Sequence, residues 1–290
     1  MSLTGNAPVS RERGEEGKLS KERYALLQRY IQTESGIVIE NDRQYLFESR
    51  LLPIIGLPIA KTLKIETLDD LCQSLVMRSS MELRMLVLDA MTTNETFFFR
   101  DPSLFDALGA AVLPAMFHRI RGTRKLRIWS AASSSGQEAY SLAILLREMG
   151  RSSSDVEILG TDLSIQMLER AREARYVPFE VKRGLPAAYL NRYFTKAGTD
   201  WQLADEIRSM VHFEQIDLRR IPAKMGTFDL ILCRNVLIYF NWETKKQVIS
   251  AMKRSLSPGG FLALGCAETF INMECGFQRE QIGLATFYSA

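Results

Sequence analysis

The sequence predicts an α/β protein: a small all-helical N-terminal domain, then a doubly wound, Rossmann-like domain carrying a small inserted β-unit. Two observations predict it. Up to about Met91, apolar residues recur at helical spacing. From Leu126 onward, short and nearly unbroken apolar runs alternate with amphipathic stretches. Runs that are apolar on both faces belong to a parallel sheet covered by helices on both sides. A third feature concerns the end of the chain, where GFQREQIGLATFYS reads as an antiparallel strand pair turning near Gly283.

Each element follows in order. Residues 1–18 mix Gly, Ser and charge and read as a flexible tail, without the apolar stretch of a secretory leader. Residues 19–91 form the helical domain. Leu26, Leu27, Tyr30 and Ile31 share one helical face, Tyr45, Leu46, Ser49 and Leu52 a second, and Leu83, Leu86, Val87 and Ala90 a third. Pro53, Gly56 and Pro58 divide the middle of this region. Residues 92–105 form a linker and 106–290 the α/β domain. Its strands are Leu126–Ala131, Val156–Thr161, Val211–Ile216, Phe228–Cys233 and Phe261–Cys266. Helices are expected at Glu138–Met149, Ile165–Ala174 and Thr244–Leu256. Residues 189–210 interrupt the alternation, and their short apolar pieces around Gly198 and Asp200 fit an inserted β-hairpin.

Composition narrows the chemistry. Thirty-seven Lys and Arg against 34 Asp and Glu leave a net charge of only +3, so the molecule as a whole is not drawn to nucleic acid or a membrane surface. The two histidines, His118 and His212, cannot build a His-rich metal site, and no metal is implied. Cys72, Cys233, Cys266 and Cys275 show no C-x-x-C spacing and read as reduced thiols of a cytoplasmic protein. No apolar run is long enough to span a bilayer. The basic run HRIRGTRKLR (His118–Arg127) has no aromatic platform beyond Phe117 and leads directly into a strand, so it reads as surface or helix-end charge. The aromatic run Phe97–Phe99 reads as packing for at least two of its rings.

Sites in doubly wound sheets lie at the carboxyl ends of the strands. The first strand runs into AASSSGQEAYS, a small-residue loop opening a helix. With Gly136 as its one glycine the loop lacks G-x-G-x-x-G, which disfavours a dinucleotide and a nicotinamide dehydrogenase; an ordinary βα turn fits this loop about as well as a ligand loop. Asp162 ends the second strand, where an acid accepts hydrogen bonds from two ribose hydroxyls or caps the next helix. Asp217 follows the third strand, facing an adenine amino group or serving a surface turn. Arg234, Asn235 and Tyr239 follow the fourth, an unusual density of polar groups at the end of a buried strand.

Four segments carry a resemblance. MTTNETFFFRDPSLF, IWSAASSSGQEAYSLA, GTDLS and FDLILCRNVLIYFN together resemble the bacterial chemotaxis receptor methyltransferases of the CheR family, over about Leu19–Tyr288. The resemblance implies a class I S-adenosylmethionine-dependent methyltransferase domain. The reaction it implies is methyl transfer to glutamate side chains of chemoreceptors, giving glutamyl methyl esters and S-adenosylhomocysteine. It implies that Asn94, Thr96 and Arg100 line the cofactor site and that Glu138 anchors the methionine amino end. Asp162 would hold the ribose, Asp217 and Leu218 would contact adenine, and Asn235 and Val236 would close the pocket. Arg100 and Tyr239 would lie nearest the transferred methyl and act as catalytic residues. The sequence departs from the family pattern at Gln137 and Ala139, where an acid and a proline are usual, and at Asp217, where Asn is usual.

The expected partner is the cytoplasmic methylation helix of a chemoreceptor, with no nucleic acid and no membrane insertion, and the chain is expected to be a monomer. Arg43 and Arg50, seven residues apart, with Lys61 and Lys64, offer a basic face on the helical domain to a glutamate-rich helix; an ordinary solvated surface fits them equally. The inserted unit resembles the family's β-subdomain, which in some members docks a receptor pentapeptide. Its short span between Phe194 and Phe213 points to a pentapeptide-independent enzyme. The rival readings are a methyltransferase on another acceptor and a non-catalytic S-adenosylmethionine-binding signalling module. A glutamate carboxylate, with a pKa of about 4.3, is ionised at neutral pH and is its own nucleophile, so the reaction needs no histidine base.

Overall fold

A computed structural model describes residues 19–78, 80–269 and 275–290; the expected N-terminal tail lies outside them. The chain divides into two compact units, one reaching to Glu34 and resuming at Ile39–Met91, the other comprising Ser35–Val38 and Thr92–Ala290.

The first unit is helical: α1 (Lys21–Ser35), α2 (Gln44–Ile55), α3 (Pro58–Thr62), α4 (Leu68–Val76) and α5 (Met81–Met91). Leu27, Ile31, Phe47, Leu51, Leu71, Leu75, Leu83 and Val87 are buried. The face expected for α2 is wrong. Phe47, Leu51 and Ile54 point inward, while Tyr45 and Leu52 stay 61% and 45% exposed. The larger Phe47 and the i, i+4, i+7 spacing set the buried stripe. Pro53 sits in the last turn of α2 without ending it, Gly56 is its C-cap, and Pro58 opens α3. A capping box starts α4: Thr67 Oγ1 accepts from the Asp70 amide at 3.1 Å and Asp70 Oδ2 from the Thr67 amide at 2.9 Å.

The second unit begins with α6 (Pro102–Ala107), a π-turn and α7 (Leu113–Ile120). Then β1 (Leu126–Ala131), α8 (Gln137–Glu148), β2 (Val156–Asp162) and α9 (Ile165–Glu173) follow, close to the boundaries read from the sequence. Next come β3 (Arg175–Tyr176), α10 (Pro178–Lys182), α11 (Ala187–Tyr193), β4 (Phe194–Ala197), β5 (Asp200–Leu203), α12 (Asp205–Arg208) and β6 (Val211–Gln215). The chain ends with β7 (Phe228–Cys233), α13 (Trp242–Arg254), β8 (Leu256–Leu264), β9 (Gln278–Ile282) and β10 (Ala285–Ser289).

The main sheet has the order β6-β2-β1-β7-β8-β10-β9. Its first five strands are parallel, and β10 pairs antiparallel with both β8 and β9. The order reverses at β1, with β2 and β6 on one side and β7 on the other. That is the switch point where doubly wound sheets open a crevice. The strand β8 starts at Leu256, earlier than the expected Phe261, through a register shift against β7. A Cβ on Gly260 would meet the Asp229 and Ser257 carbonyls at 2.9 Å, so only glycine lets the chain pass there.

The inserted hairpin is β4 and β5, turning at Gly198, and β3 joins it to make a three-stranded antiparallel sheet ordered β3-β5-β4. The two-residue β3 was invisible to the sequence because it precedes the expected 189–210 span. Phe98 is wholly buried and meets the rings of Tyr176 and Phe194 edge-on at 5.0 and 5.6 Å. Phe99 is buried against Phe105 and Tyr189, and Phe97 carries the Arg183 guanidinium 4.3 Å above its ring.

The basic run is more than surface charge. Arg124 grips the fully buried Asp229 carboxylate with two 2.7 Å bonds, and the Arg127 amide adds a third at 3.0 Å. Burial raises the Asp229 pKa, but these donors outweigh it and hold the carboxyl below the ordinary carboxylate range.

Candidate functional site

A cleft opens at the carboxyl ends of β1, β2, β6 and β7. Each strand end contributes side chains, so the cleft follows from the topology. From the segment before α6 come Asn94, Thr96 and Arg100; from β1 and α8, Ala132, Ser134 and Glu138; from β2, Asp162; after β6, Asp217 and Leu218; after β7, Arg234, Asn235, Val236 and Tyr239. All ten residues expected to bind cofactor or act in catalysis therefore line one cleft. Residues as far apart as Asn94 and Tyr239 meet there.

The loop after β1 is shaped by backbone rather than by glycines. Ala132 and Ser134 both adopt positive φ, 59° and 49°, before Gly136 at 92° caps α8. Such angles carry a strain of about 1–3 kcal/mol at non-glycine residues and concentrate at functional sites. The Asp162 carboxylate is pinned by this loop: its Oδ2 accepts from the Ser134 amide at 2.8 Å and its Oδ1 from the Ser164 amide at 2.9 Å. The N-cap of α9 is Ser164 itself, whose side chain accepts from the Met167 amide, so Asp162 is not that cap. A carboxylate so fixed, 8% exposed and lining the cleft, is placed to accept from a diol.

Glu138 is held from both sides. Its Oε1 accepts from Ser130 Oγ at 2.7 Å and its Oε2 from Arg234 Nη1 at 2.8 Å. The Arg234 side chain is 2% exposed and also contacts the Asp101 carboxylate and the Arg100 carbonyl. Burial alone would pull this guanidinium down, but the two carboxylates outweigh it and it holds its proton more tightly than usual. Asp217 caps a short turn by accepting from the Arg219 amide at 2.9 Å, and the Arg219 side chain clasps both its oxygens at 2.7–3.0 Å. The cap and the cleft position coexist. Arg100 donates to the Glu95 carbonyl at 3.3 Å and lies 5.4 Å from the Phe97 ring centroid.

Several lining residues carried no sequence signal. Ser35, the last residue of α1, and Ile37, in the α1–α2 connection, both line the cleft, and the Val38 amide donates to the Tyr239 carbonyl at 2.9 Å. Gly36, with φ 80°, allows this approach: a Cβ there would meet Arg219 Cδ at 2.8 Å. The one available hint was a Ser-Gly at a helix end. Glu268, from GCAETF after β8, was also missed.

The basic residues of the helical unit lie elsewhere. Arg43 is the N-cap of α2, outside the helix, and pairs with Glu40 at 3.1 Å; Arg50, inside it, donates to the Met91 carbonyl at 3.0 Å. Each guanidinium is therefore already engaged, Arg43 by the Glu40 carboxylate and Arg50 by the Met91 carbonyl. Lys61 is in the last turn of α3 and Lys64 follows with φ 54°.

A cleft at the switch point of a mostly parallel sheet, with an acid at the end of the second strand, defines a Rossmann-like domain that takes a ribose-bearing cofactor. Residues 94–284 match the family described as CheR methyltransferase, SAM binding domain. The chain is 38% identical to chemotaxis protein methyltransferase 1 of Pseudomonas aeruginosa over 273 residues, covering 92% of this chain and 97% of that one. It is 38% identical to the chemotaxis protein methyltransferase of Vibrio parahaemolyticus, covering 90% and 94%. It is 36% identical to chemotaxis protein methyltransferase Cher2 of Pseudomonas putida, covering 90% and 95%. The chain belongs to the CheR family of S-adenosylmethionine-dependent chemotaxis methyltransferases.

The residues present fit that cofactor. Arg234, which lines the cleft, keeps a buried Nε–H with no acceptor among the described residues, a donor suited to a ligand carboxylate. Asp162 suits a ribose, and the apolar Leu163, Ile216, Leu218 and Phe240 suit an adenine plane.

Proposed function

We propose that this protein methylates glutamate side chains on the cytoplasmic methylation helices of chemoreceptors, forming glutamyl methyl esters in chemosensory adaptation. The observation that carries the reading is the convergence of Asn94, Arg100, Glu138, Asp162, Asp217, Asn235 and Tyr239 on one cleft. Asp162 holds the ribose hydroxyls, Glu138 the methionine amino group, and Asp217 and Leu218 the adenine. Asn94, Thr96, Asn235 and Val236 complete the cofactor site.

The bound cofactor supplies an electrophilic methyl on a sulfonium sulfur. This chain's residues supply position. Arg100 holds the incoming carboxylate by charge-assisted bonds, and Tyr239 orients its attacking oxygen. Opposite charges meet and are lost in the transition state, so acid–base work is small and in-line placement is the main term. Neither histidine lines the cleft.

Residues 19–91 read the receptor, with Arg43, Arg50, Lys61 and Lys64 facing acidic segments of the methylation helix; residues 92–105 link this reader to the methyltransferase domain and carry cofactor contacts. The protein acts in the cytoplasm as a monomer and does not require a receptor pentapeptide. The test is incubation with methyl-labelled cofactor and chemoreceptor cytoplasmic fragments. Label released by base as methanol is the expected result. Base-stable label, or cofactor binding without transfer, overturns the proposal.

A further inference from the structure

The loop that follows β7 has a feature that its sequence does not explain. Four consecutive amides, from Asn235 to Ile238, converge on one buried carboxylate, that of Glu268. Its Oε2 accepts from the Asn235 amide at 2.7 Å and the Gly265 amide at 2.9 Å. Its Oε1 accepts from Val236 at 3.0 Å, Leu237 at 2.8 Å and Ile238 at 3.3 Å. The residue is 8% exposed, and no Lys or Arg among the described residues forms an ion pair with it. A buried charge is tolerated only when its lone pairs are filled, and here five backbone N–H groups fill them.

The same loop turns sharply and belongs to the cleft. Asn235 has φ 59°, a left-handed angle that asparagine adopts more readily than other non-glycine residues. Asn235, Val236 and Tyr239 all line the cleft. The approach is built for: a Cβ on Gly265 would lie 2.8 Å from Glu268 Oε2 and 2.8 Å from Asn235 Nδ2. Glycine is required for the clamp to close.

We propose that Glu268 is a positioning residue of methyl transfer, whose carboxylate clamps the 235–238 backbone and so sets Tyr239 against the acceptor. It touches neither cofactor nor substrate. The proposal rests on the methyl-transfer reading above. A displacement of the order of 1 Å in such a loop costs about 100-fold in rate.

The experiment compares Glu268→Gln and Glu268→Asp with wild type. Glutamine keeps the shape but sets an NH₂ against N–H donors; aspartate keeps the charge but is one methylene short. At saturating cofactor, kcat should fall about 100-fold in Glu268→Gln and less in Glu268→Asp, with receptor-fragment KM unchanged within threefold. S-adenosylhomocysteine affinity, read by calorimetry, should fall less than tenfold, because only Asn235 and Val236 of the proposed cofactor contacts lie on the clamped loop while Asp162 and Glu138 sit on others. A folded Glu268→Gln with kcat within threefold of wild type overturns the proposal, and so does a loss of affinity equal to the loss of kcat. If Glu268→Gln does not fold, Glu268→Asp carries the same comparison. Hydrogen exchange on the wild-type protein tests the clamp without any variant. Amides 235–238 should be protected with and without S-adenosylhomocysteine, and unprotected exchange refutes it. A wild-type protein that forms no ester would sink the activity reading while leaving this exchange result to stand by itself.

Discussion

Replacing Arg234 by methionine should destabilise the second unit by about 3–5 kcal/mol, the cost of leaving buried charges without their partner. The structure sets the magnitude. The Arg234 side chain is 2% exposed, and it meets Glu138 at 2.8 Å, Asp101, and the Arg100 carbonyl at 3.0 Å. The Glu138 side chain is itself only 12% exposed. Methionine matches the length of the stem but supplies no donor, so the largely buried Glu138 carboxylate and the 30% exposed Asp101 carboxylate lose the cation between them. For a unit of roughly 200 residues, each kcal/mol shifts Tm by about 2–4 °C, so the expected drop is about 6–20 °C. Urea denaturation followed by tryptophan fluorescence measures the free energy directly. A second variant, Glu138→Gln, and the double variant complete a cycle; a coupling of at least about 1 kcal/mol is expected for groups in direct contact. If Arg234→Met unfolds within 1 kcal/mol of wild type, the buried triad is not holding the floor of the cleft.

Three further outcomes follow from the same geometry. Arg100→Ala should lower kcat at least about 100-fold while leaving the circular dichroism spectrum and Tm nearly unchanged, since among the described residues this side chain bonds to a carbonyl and lies by a ring; a near-wild-type rate would show that it does not hold the acceptor. Asp229 has a folded pKa below its unfolded value, so its contribution to stability is fully present above about pH 4 and is lost as pH falls through the lower, folded value. Denaturation midpoints measured down to pH 2 should therefore show a shallower acid limb in Asp229→Asn, and parallel limbs would refute the assignment. Gly184→Ala should destabilise by more than 2 kcal/mol in urea titration, because its φ is 81° and a Cβ would sit 2.0 Å from the Phe98 carbonyl oxygen.

The parts of the fold readable from sequence are those governed by local pattern. The strands β1, β2, β6 and β7 are short apolar runs, and their ends fall within a residue of the expected positions because burial on both faces leaves no ambiguity of period. The α2 face was misread because Tyr45 and Leu52 fit helical spacing as well as Phe47 and Leu51 do; only packing decides between two stripes on one helix. Strand β3 is two residues long, and its pairing with β5 is a long-range event with no local signature. The site divides along the same line. Asp162, Asp217 and Asn235 were legible because the end of a parallel strand is a position that sequence can locate. Ser35, Ile37 and Glu268 were not, because they enter the cleft or its scaffold from distant connections.

The cleft also explains how one small volume can suit both a cation and an anion. Four acids line it, yet three are matched by a guanidinium: Glu95 by Arg183 at 2.5 Å, Glu138 by Arg234 at 2.8 Å and Asp217 by Arg219 at 2.7 Å. The fourth, Asp162, is held by backbone amides. In the proposed reaction, matching keeps the acids from repelling an incoming glutamate while leaving lone pairs to accept from the cofactor, since an ionised carboxylate offers about four acceptor sites. Arg100 differs in that its contacts are a carbonyl and an aromatic face, which leave its charge available to an anion. In the proposed reaction the sulfonium and the carboxylate neutralise each other, so the residues of the cleft need only hold them in line.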